Sequence, residues 1–288
     1  MSTTSTDLSA NEGKIKTVDQ IFSNENLNDL YNQDKNLSIQ KMCEWRGNHF
    51  PIAMALFDVK STEDKSVPWE ARKGGQFNAI ANSVEEILVL LDPNKDASGA
   101  KPLERKPQGV YIIFNQPKPG LETRYARGKW HAGKQGGGCS DSDFGFRRGF
   151  FFDFDPERPR GVSATMEEMA LGVRKAKHAW GVLQGIFSKI LPAGTDPNAP
   201  LALGPSGNGT HIHVRLAEIP EGKAVHDIVV RALKAAAKLW DDSTAKVDIS
   251  VSNIGRWAPC FGTIKKKGLH SPEVGRPHRR TSFNYYTD

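Results

Sequence analysis

The sequence predicts a mixed α/β (α+β) protein in which helices pack on a sheet. Two observations in the second half of the chain point to this class. Three short stretches alternate apolar with polar residues, as strands do, and the two stretches between them repeat apolar residues every three or four positions, as amphipathic helices do. The resulting order is strand, helix, strand, helix, strand. With 288 residues, of which 38% are hydrophobic, the chain is long enough to bury a sizeable core.

The first half of the chain predicts shorter elements joined by polar loops. Apolar runs predict strands at 50–58 and 109–115, and Ser83 is placed to cap a short helix that ends near residue 91. Residues 1–14 are rich in Ser and Thr, which predicts a disordered tail. Loops rich in Pro or Gly are expected at 93–107 and 128–142.

The second half carries the stronger periodic signals. An apolar run predicts a strand at 150–155, and prolines follow it directly. Thr165 and Glu168 have the spacing of a capping box, and the apolar residues behind them predict a long amphipathic helix at 169–190. The remaining elements are a strand at 210–216, a helix at 225–239 and a strand at 245–251.

Each of the three strands in this half has one apolar and one polar face, because side chains alternate along a strand. On the first strand, Asp153 and Asp155 share a face with Phe151, and the two carboxylates are about 6–7 Å apart at the usual rise per residue. The polar faces of the other two strands carry His211, His213 and Arg215 on the second and Lys246, Asp248 and Ser250 on the third.

If helices cover the apolar side of one sheet, its open face collects Asp153, Asp155, Asp248, His211 and His213. Neighbouring carboxylates repel each other, and a hard divalent cation such as Mg²⁺ or Mn²⁺ relieves that repulsion through oxygen ligands. Acids that hold two such ions are a common device for phosphoryl and nucleotidyl transfer. Two alternatives remain. The acids could belong to an ordinary exposed strand face, and the histidines could have their hydrogen bonds satisfied within the sheet.

The net charge of +6 is concentrated near the C-terminus, where seven basic residues and one acidic residue lie between positions 253 and 280. This favours a polyanionic partner such as nucleic acid or nucleotide, with a solvated basic loop as the alternative. Cys43, Cys139 and Cys260 form no Cys-x-x-Cys pair, so no zinc is expected. The odd cysteine count and polar N-terminus predict a cytoplasmic protein, and the lack of about 18 consecutive apolar residues predicts no membrane span.

These residues resemble the archaeo-eukaryotic primase superfamily, in particular the prim-pol domains of phages, plasmids and other mobile elements. Three motifs occur in the family's order, and the resemblance covers about residues 105–280. The motifs are hydrophobic-Asp-hydrophobic-Asp at 152–155, Ser-Gly-x-Gly-x-His at 206–211 and an acid after a hydrophobic residue at 247–248. The stretches at 109–115 and 253–279 also resemble the mobile-element branch.

The resemblance implies one catalytic domain at 15–288, in which an RRM-like catalytic sheet with flanking helices (146–288) interlocks with an N-terminal α/β subdomain (15–145). It implies a template-directed nucleotidyltransferase, a primase-polymerase that uses two Mg²⁺ or Mn²⁺ ions, a single-stranded DNA template and primer, and NTPs or dNTPs. A prokaryotic cytoplasm, a phage- or plasmid-encoded chain and a helicase partner are expected. Whether synthesis starts de novo stays open, because the cysteines supply no zinc module.

The resemblance also implies roles for individual residues. The residues expected to bind the metal ions and to catalyse the reaction are Asp153, Asp155 and Asp248. The residues expected to bind the incoming nucleotide are Ser206, Asn208, His211, Arg256 and Lys265. The residues expected to bind DNA are Lys267, Arg276, His278 and Arg279, which lie in the C-terminal basic stretch.

Two other functions remain open from the residues. The string at 210–213 is also the His-hydrophobic-His pattern of single-strand endonucleases that initiate rolling-circle replication, with Tyr285 or Tyr286 as the nucleophile. A non-catalytic module that binds single strands is the second alternative, since Trp257 and Phe261 lie among basic residues.

Overall fold

The computed structural model describes residues 33–61, 75–92, 105–125, 128–133 and 139–285. Within these ranges the chain forms four helices and thirteen strands, together with a few short 3-10 turns. No helix in the described part of the chain is long and apolar enough to cross a membrane. Three predictions fall wholly or partly outside the described residues, namely the tail at 1–14 and parts of the loops at 93–107 and 128–142.

The first half of the chain supplies two helices and five strands. Ser83 caps the second helix as predicted, since its hydroxyl accepts a hydrogen bond from the Glu86 amide at 3.2 Å. The first helix was not predicted; Asp34 caps it by accepting from the Leu37 amide at 3.0 Å. The elements are α1 (Lys35–Trp45), β1 (Ile52–Ser61), β2 (Gly75–Ala81), α2 (Val84–Leu90), β3 (Arg105–Lys106), β4 (Gly109–Ile113) and β5 (His131–Gly133).

The second half supplies the two long helices and the remaining strands. The predicted capping box is present, with Thr165 and Glu168 each bonding the other's backbone amide. The elements are β6 (Phe146–Pro156), α3 (Met166–Ile190), β7 (Leu201–Pro205), β8 (Thr210–Pro220), α4 (Lys223–Trp240), β9 (Ala245–Val247), β10 (Trp257–Pro259), β11 (Ile264–Lys265), β12 (Arg279–Arg280) and β13 (Asn284–Tyr285).

The predicted succession of strands and helices is confirmed with two differences. Strand β7 was missed, and it adds a strand between α3 and β8. The last strand ends at Val247 and not at Val251, because the Asp248 carboxylate accepts a bond from the Ser250 amide at 2.8 Å and turns the chain.

Two antiparallel sheets form the framework. The first sheet runs β10-β4-β1-β2-β5 with β3 beside β1, and the second sheet runs β13-β7-β8-β6-β9. Every named strand pair in both sheets is antiparallel, so the fold belongs to the α+β class. In the second sheet the elements from β6 to β9 follow the β-α-β-β-α-β order of ferredoxin-like folds.

The two faces of β6 differ as the alternation predicted. Phe152 and Phe154 pack against Trp240 at the end of α4, with ring centroids 6.3 Å and 6.0 Å away. Asp153 lies opposite His211 on β8, on the face turned away from the helices. The helices α3 and α4 therefore cover one face of the second sheet and leave the acids on the other.

That other face is only partly open, which corrects the expectation that it is free along its length. A core cluster joins β1, β2 and β4 of the first sheet to Ala202 on β7 and to Phe261 and Phe283. His213 is consequently 1% exposed. The chain also crosses between sheets, since β10 follows the second sheet's strands in sequence but pairs with β4. The two sheets are interlocked parts of one structure.

Candidate active site

A cavity of about 140 Å³ opens where the acid-bearing face of the second sheet emerges beside the first sheet. We call it the acid cavity. It brings together eight of the predicted site residues, drawn from five separate segments. Its lining consists of Tyr111, Phe151, Asp153, Asp155, Arg158, Asn208, His211, Asp248, Val251, Arg256, Trp257, Pro259, Lys265 and Lys267.

The three acids meet because β6 and β9 are neighbours. Asp153 and Asp155 lie on β6, and the Asp248 amide donates to the Asp153 carbonyl at 2.9 Å just after β9 ends. The negative charge of Asp153, with burial as a second cause, raises the pKa of Asp155 to about 6. Burial also acts to raise the pKa of Asp153, but the attraction of His211 and Lys265 outweighs it and leaves that pKa below its ordinary value.

His211 lies in the wall of the acid cavity with unused hydrogen-bonding atoms. Its ring stacks on Phe151 at 4.7 Å between centroids, almost parallel at 4°. Its Nε2 lies 3.2 Å from Asp153 Oδ1, but the contact lacks hydrogen-bond geometry. Both ring nitrogens and Asp153 Oδ1 are therefore buried without a hydrogen-bond partner among the described residues. Buried polar atoms are rarely left unpaired, so these atoms are available to a ligand.

The Ser-Gly-Asn-Gly stretch before His211 is the tight turn that joins β7 to β8. The Ser206 amide donates to the Gly209 carbonyl at 2.8 Å, and the Ser206 hydroxyl accepts from the Gly209 amide at 3.2 Å. A Cβ on Gly209 would lie 2.7 Å from the Phe154 carbonyl oxygen and 3.0 Å from Asp155 Oδ1. Glycine is therefore needed for the turn to pack against the acid-bearing strand.

Ser206 and Asn208, which were predicted to bind nucleotide, already have structural partners. The Ser206 hydroxyl serves the turn, and Ser206 does not line the acid cavity. Asn208 does line the cavity, but its Oδ1 accepts from the Ala164 amide and its Nδ2 donates to the Lys267 carbonyl, each at 2.9 Å. Both side chains shape the cavity in the structure as it stands.

Basic side chains stand opposite the acids. Arg256 Nη2 lies 3.5 Å from Asp248 Oδ2, a loose contact on a half-exposed side chain. The Lys265 ammonium is 5.6 Å from the centroid of the Tyr111 ring. Burial lowers the pKa of Lys265, although Asp153 and Asp155 act in the opposite direction. The cavity therefore has an acidic wall and a basic wall, an arrangement suited to a ligand that carries both phosphate and a divalent cation.

Sequence reasoning missed two lining residues with functional side chains. Arg158 lies 3.7 Å from Asp155 Oδ1, and its signal was the charged stretch directly after the acid pair. Tyr111 comes from β4 of the first sheet. Nothing local in the sequence marks Tyr111, because only the interlocking of the sheets brings it to the acids. Trp257, which the sequence named only as a stacking residue of a single-strand-binding module, also lines the cavity.

Two residues that were predicted to contact DNA make side-chain contacts within the protein. Arg276 forms a two-point ion pair with Glu168, with Nη2 2.7 Å from Oε1. Arg279 is 8% exposed and donates to the backbone carbonyls of Ala164, Gly275 and Pro277. Their role in the structure is to hold the C-terminal stretch against the start of α3.

The other two predicted DNA contacts differ from each other. His278 Nε2 lies 2.8 Å from the Gly268 carbonyl oxygen, which fixes its ring in the loop. Lys267 is exposed at the rim of the acid cavity. Of the four predicted DNA contacts, only Lys267 therefore lies beside the acids.

Among the described residues, the histidines and the tyrosine of the endonuclease alternative lie apart. His213 does not line the acid cavity, and its ring packs on Phe114 at 4.3 Å. Burial, followed by the charge of His211, lowers its pKa well below the ordinary value. Tyr285 donates its hydroxyl to Glu44 at 2.8 Å, on the sheet edge opposite β9. Tyr286 lies outside the described residues.

In the described part of the chain, no group of three His, Cys, Asp or Glu side chains is arranged to hold a metal ion. The donor chemistry nevertheless fits magnesium, because Asp153 and Asp155 offer carboxylate oxygens that repel each other. Magnesium usually takes one or two carboxylates together with substrate phosphates and water. The acids therefore fit a cation that arrives with a phosphate ligand.

Comparison with known proteins finds no matching family model, no matching curated protein and no matching solved structure.

Proposed function

We propose that the protein is a template-directed nucleotidyltransferase, a primase-polymerase of the archaeo-eukaryotic primase type that synthesises or extends primers on single-stranded DNA. One observation carries the proposal. Asp153, Asp155 and Asp248 share a cavity with His211 and with the cations of Arg256 and Lys265. An acidic wall that faces a basic wall is what nucleotidyl transfer from a triphosphate requires.

The residues of the acid cavity divide between two tasks. The three acids would hold Mg²⁺ or Mn²⁺, which when bound supplies charge neutralisation and orients the reacting oxygens. His211, Arg256 and Lys265 bind the triphosphate, because cationic donors on a polyphosphate form strong, charge-assisted hydrogen bonds. The unpaired nitrogens of His211 support this assignment.

The surroundings of the cavity support a nucleic-acid partner. A groove of about 480 Å³ adjoins it and shares Asp155, Arg158 and Lys267 with it. Arg160 and Lys246 also line the groove, although Lys246 pairs with Glu157. We assign the template and primer to this groove. The second sheet would be the RRM-like catalytic sheet and the first sheet the N-terminal subdomain of a cytoplasmic, mobile-element enzyme.

The test is incorporation of labelled NTPs or dNTPs on a single-stranded template with Mg²⁺ or Mn²⁺, with and without an annealed primer. We expect Asp153→Asn to lower incorporation at least about a hundredfold, as losses of transition-state charge stabilisation do. The matched control is Asp227→Asn, which neutralises an acid on the outside of α4 that pairs with Lys223. It should leave the rate unchanged.

Three results would contradict the proposal. They are incorporation by folded Asp153→Asn at the wild-type rate, incorporation that persists in EDTA, and a wild-type chain that binds single strands without incorporating any nucleotide. The last result would identify a binding module.

A further inference from the structure

A second cavity, of about 50 Å³, lies where the end of α1 meets β6 and β8. We call it the arginine cavity. None of its lining residues lines the acid cavity, and no acidic side chain of the described chain is among them. The lining consists of Trp45, Arg46, His49, Phe114, Arg148, Gly149, Phe150, His213, Val214, Arg215 and Leu216.

Three arginines converge on this small volume. Arg46 follows the last residue of α1, Arg148 lies on β6 and Arg215 lies on β8. The Arg215 guanidinium lies 5.7 Å over the Trp45 ring and donates to the Trp45 carbonyl at 2.8 Å. Arg148 is ion-paired with Glu218, which leaves more positive than negative charge around the cavity.

Polar atoms in this cluster are left without hydrogen-bond partners among the described residues. Arg46 is 6% exposed; its Nε and Nη1 donate to the carbonyls of Phe114 and His49 at 2.9 Å, whereas its Nη2 has no partner among the described residues. The Nε of Arg148 and the Nε2 of His213 are likewise buried and unpaired. A buried guanidinium N–H without an acceptor is costly, and the described residues supply none for these atoms.

His49 lies next to Arg148, and its pKa is affected by burial and by the neighbouring arginines. His49 Nε2 lies 2.8 Å from Arg148 Nη1. Burial, and then the charges of Arg148 and Arg46, lower the pKa of His49. Burial also lowers the pKa of Arg46 to about 10. Both shifts arise first from burial, and the neighbouring arginines add to the shift of His49.

We propose that the arginine cavity is a phosphate-binding site, separate from the acid cavity and independent of the proposed activity. Guanidinium groups match the oxygens of phosphate in pairs, and three arginines line the cavity together. A water molecule needs roughly 10–15 Å³ of cavity volume. The arginine cavity, at about 50 Å³, therefore has room for about one phosphate group and not for a whole nucleotide. The phosphate belongs either to a nucleic-acid backbone or to a free nucleotide whose remainder lies outside.

An occupant would lie close to the acid cavity. His213 lines the arginine cavity, and its ring centroid is 5.5 Å from that of His211 and 5.1 Å from that of Phe151. The wall residues of the two cavities are therefore in ring contact.

The experiment is a titration of the full chain with inorganic phosphate, followed by NMR of the histidine rings. His49 is the reporter, because it touches Arg148 and does not line the acid cavity. We expect its ring signals to move with phosphate. Arg148→Met should weaken this binding about tenfold or more, the scale of a lost charge-assisted hydrogen bond, and Arg148→Lys should restore part of it.

Two controls locate the effect. Arg231→Met removes an exposed arginine from α4 and should leave the titration unchanged. Arg256→Met alters only the acid cavity, so it too should leave the His49 titration unchanged. Arg215→Met provides a second test if Arg148→Met does not fold. His49 signals that ignore phosphate, or wild-type phosphate affinity in folded Arg148→Met and Arg215→Met, would overturn the proposal.

Two further arms separate the sources of the phosphate. A nucleoside 5′-monophosphate and a short oligonucleotide without a terminal phosphate are each titrated in the presence of inorganic phosphate. Displacement by the oligonucleotide identifies a backbone contact, and displacement by the monophosphate alone identifies a free nucleotide. Either result supports the site, whereas displacement by neither overturns it.

Discussion

Asp153 and Asp155 repel each other across one face of β6. Strand geometry puts both carboxylates on one face, and the sheet provides no cation that pairs with both. Asp155 accordingly holds its proton up to a pH of about 6. Such an unfavourable local arrangement is typical of a site that is completed by a ligand.

This conflict predicts that Asp155→Asn stabilises the metal-free protein at neutral pH. The pKa of Asp155 is raised on folding from 3.8 to about 6, so ionisation costs stability as the pH rises through that window and the whole cost is present above it. The side chain is 46% exposed, so we expect a gain of only about 1 kcal/mol. The melting temperature in EDTA should rise by a few degrees at pH 7.5 and be unchanged near pH 4.

Asp227→Asn is the matched control, since Lys223 lowers the pKa of that acid and no gain is expected. A lower melting temperature for Asp155→Asn at pH 7.5 would show that Asp155 has a structural role.

At the scale of elements, the turn between β7 and β8 positions the acid cavity. It lies against β6 so closely that Gly209 has no room for a side chain. Arg276 and Arg279 act in the same way on a second contact, because they tie the C-terminal stretch to the start of α3. Close packing of turns and strand ends, more than the helices, sets the shape of the site.

Gly209→Ala should destabilise the protein and displace the acid strand. The new methyl group would lie 2.7 Å from the Phe154 carbonyl oxygen, and overpacking of this kind costs about 1–3 kcal/mol. Denaturant unfolding measures the loss. Gly185→Ala is the control, because that position in α3 is open and an alanine there should raise stability by up to about 1 kcal/mol. Equal stability of Gly209→Ala and wild type would show that the turn can move.

Substitutions of Arg279 and Lys267 should have different effects, the first on stability and the second on DNA binding. Arg279→Met removes buried hydrogen bonds, so it should lower the melting temperature and leave the salt dependence of single-strand binding unchanged. Lys267→Met removes an exposed charge at the cavity rim, so it should reduce the slope of log affinity against log salt by about one at most. If Arg279→Met reduced the salt slope and Lys267→Met did not, Arg279 would contact DNA and Lys267 would not.

At the scale of the whole molecule, the two sheets share one core. Phe283 follows the β11-β12 ribbon in sequence and lies between the sheets, with ring contacts to Trp45, Phe114 and Phe261. It is fully buried. Because the first sheet also contains β10, neither sheet can lose its structure without exposing the other's core.

Phe283→Ala should therefore cost about 3–5 kcal/mol and weaken both sheets together. Tryptophan fluorescence and far-UV circular dichroism in denaturant should give one coincident transition at a lower midpoint. Phe146→Ala is the control, since Phe146 is 45% exposed and its loss should cost much less. Two separate transitions in the wild-type protein would show that the sheets fold independently.

The sequence by itself determined the local order and the local faces. Alternation along β6 predicted which side carries Asp153 and Asp155, helical periodicity predicted α3 and α4, and the capping box predicted where α3 begins. These features depend on interactions between residues a few positions apart, and the amino-acid sequence shows those patterns directly. The grouping of the acids with His211 followed from the same rule.

Only the tertiary structure decided which parts of those faces remain accessible. The first sheet closes over His213, brings Tyr111 to the acids and leaves the arginine cavity beside them. Arg279 is buried against a carbonyl 115 residues away. Such contacts depend on how distant segments pack. The sequence does not show whether a basic side chain contacts solvent, a backbone carbonyl or a ligand.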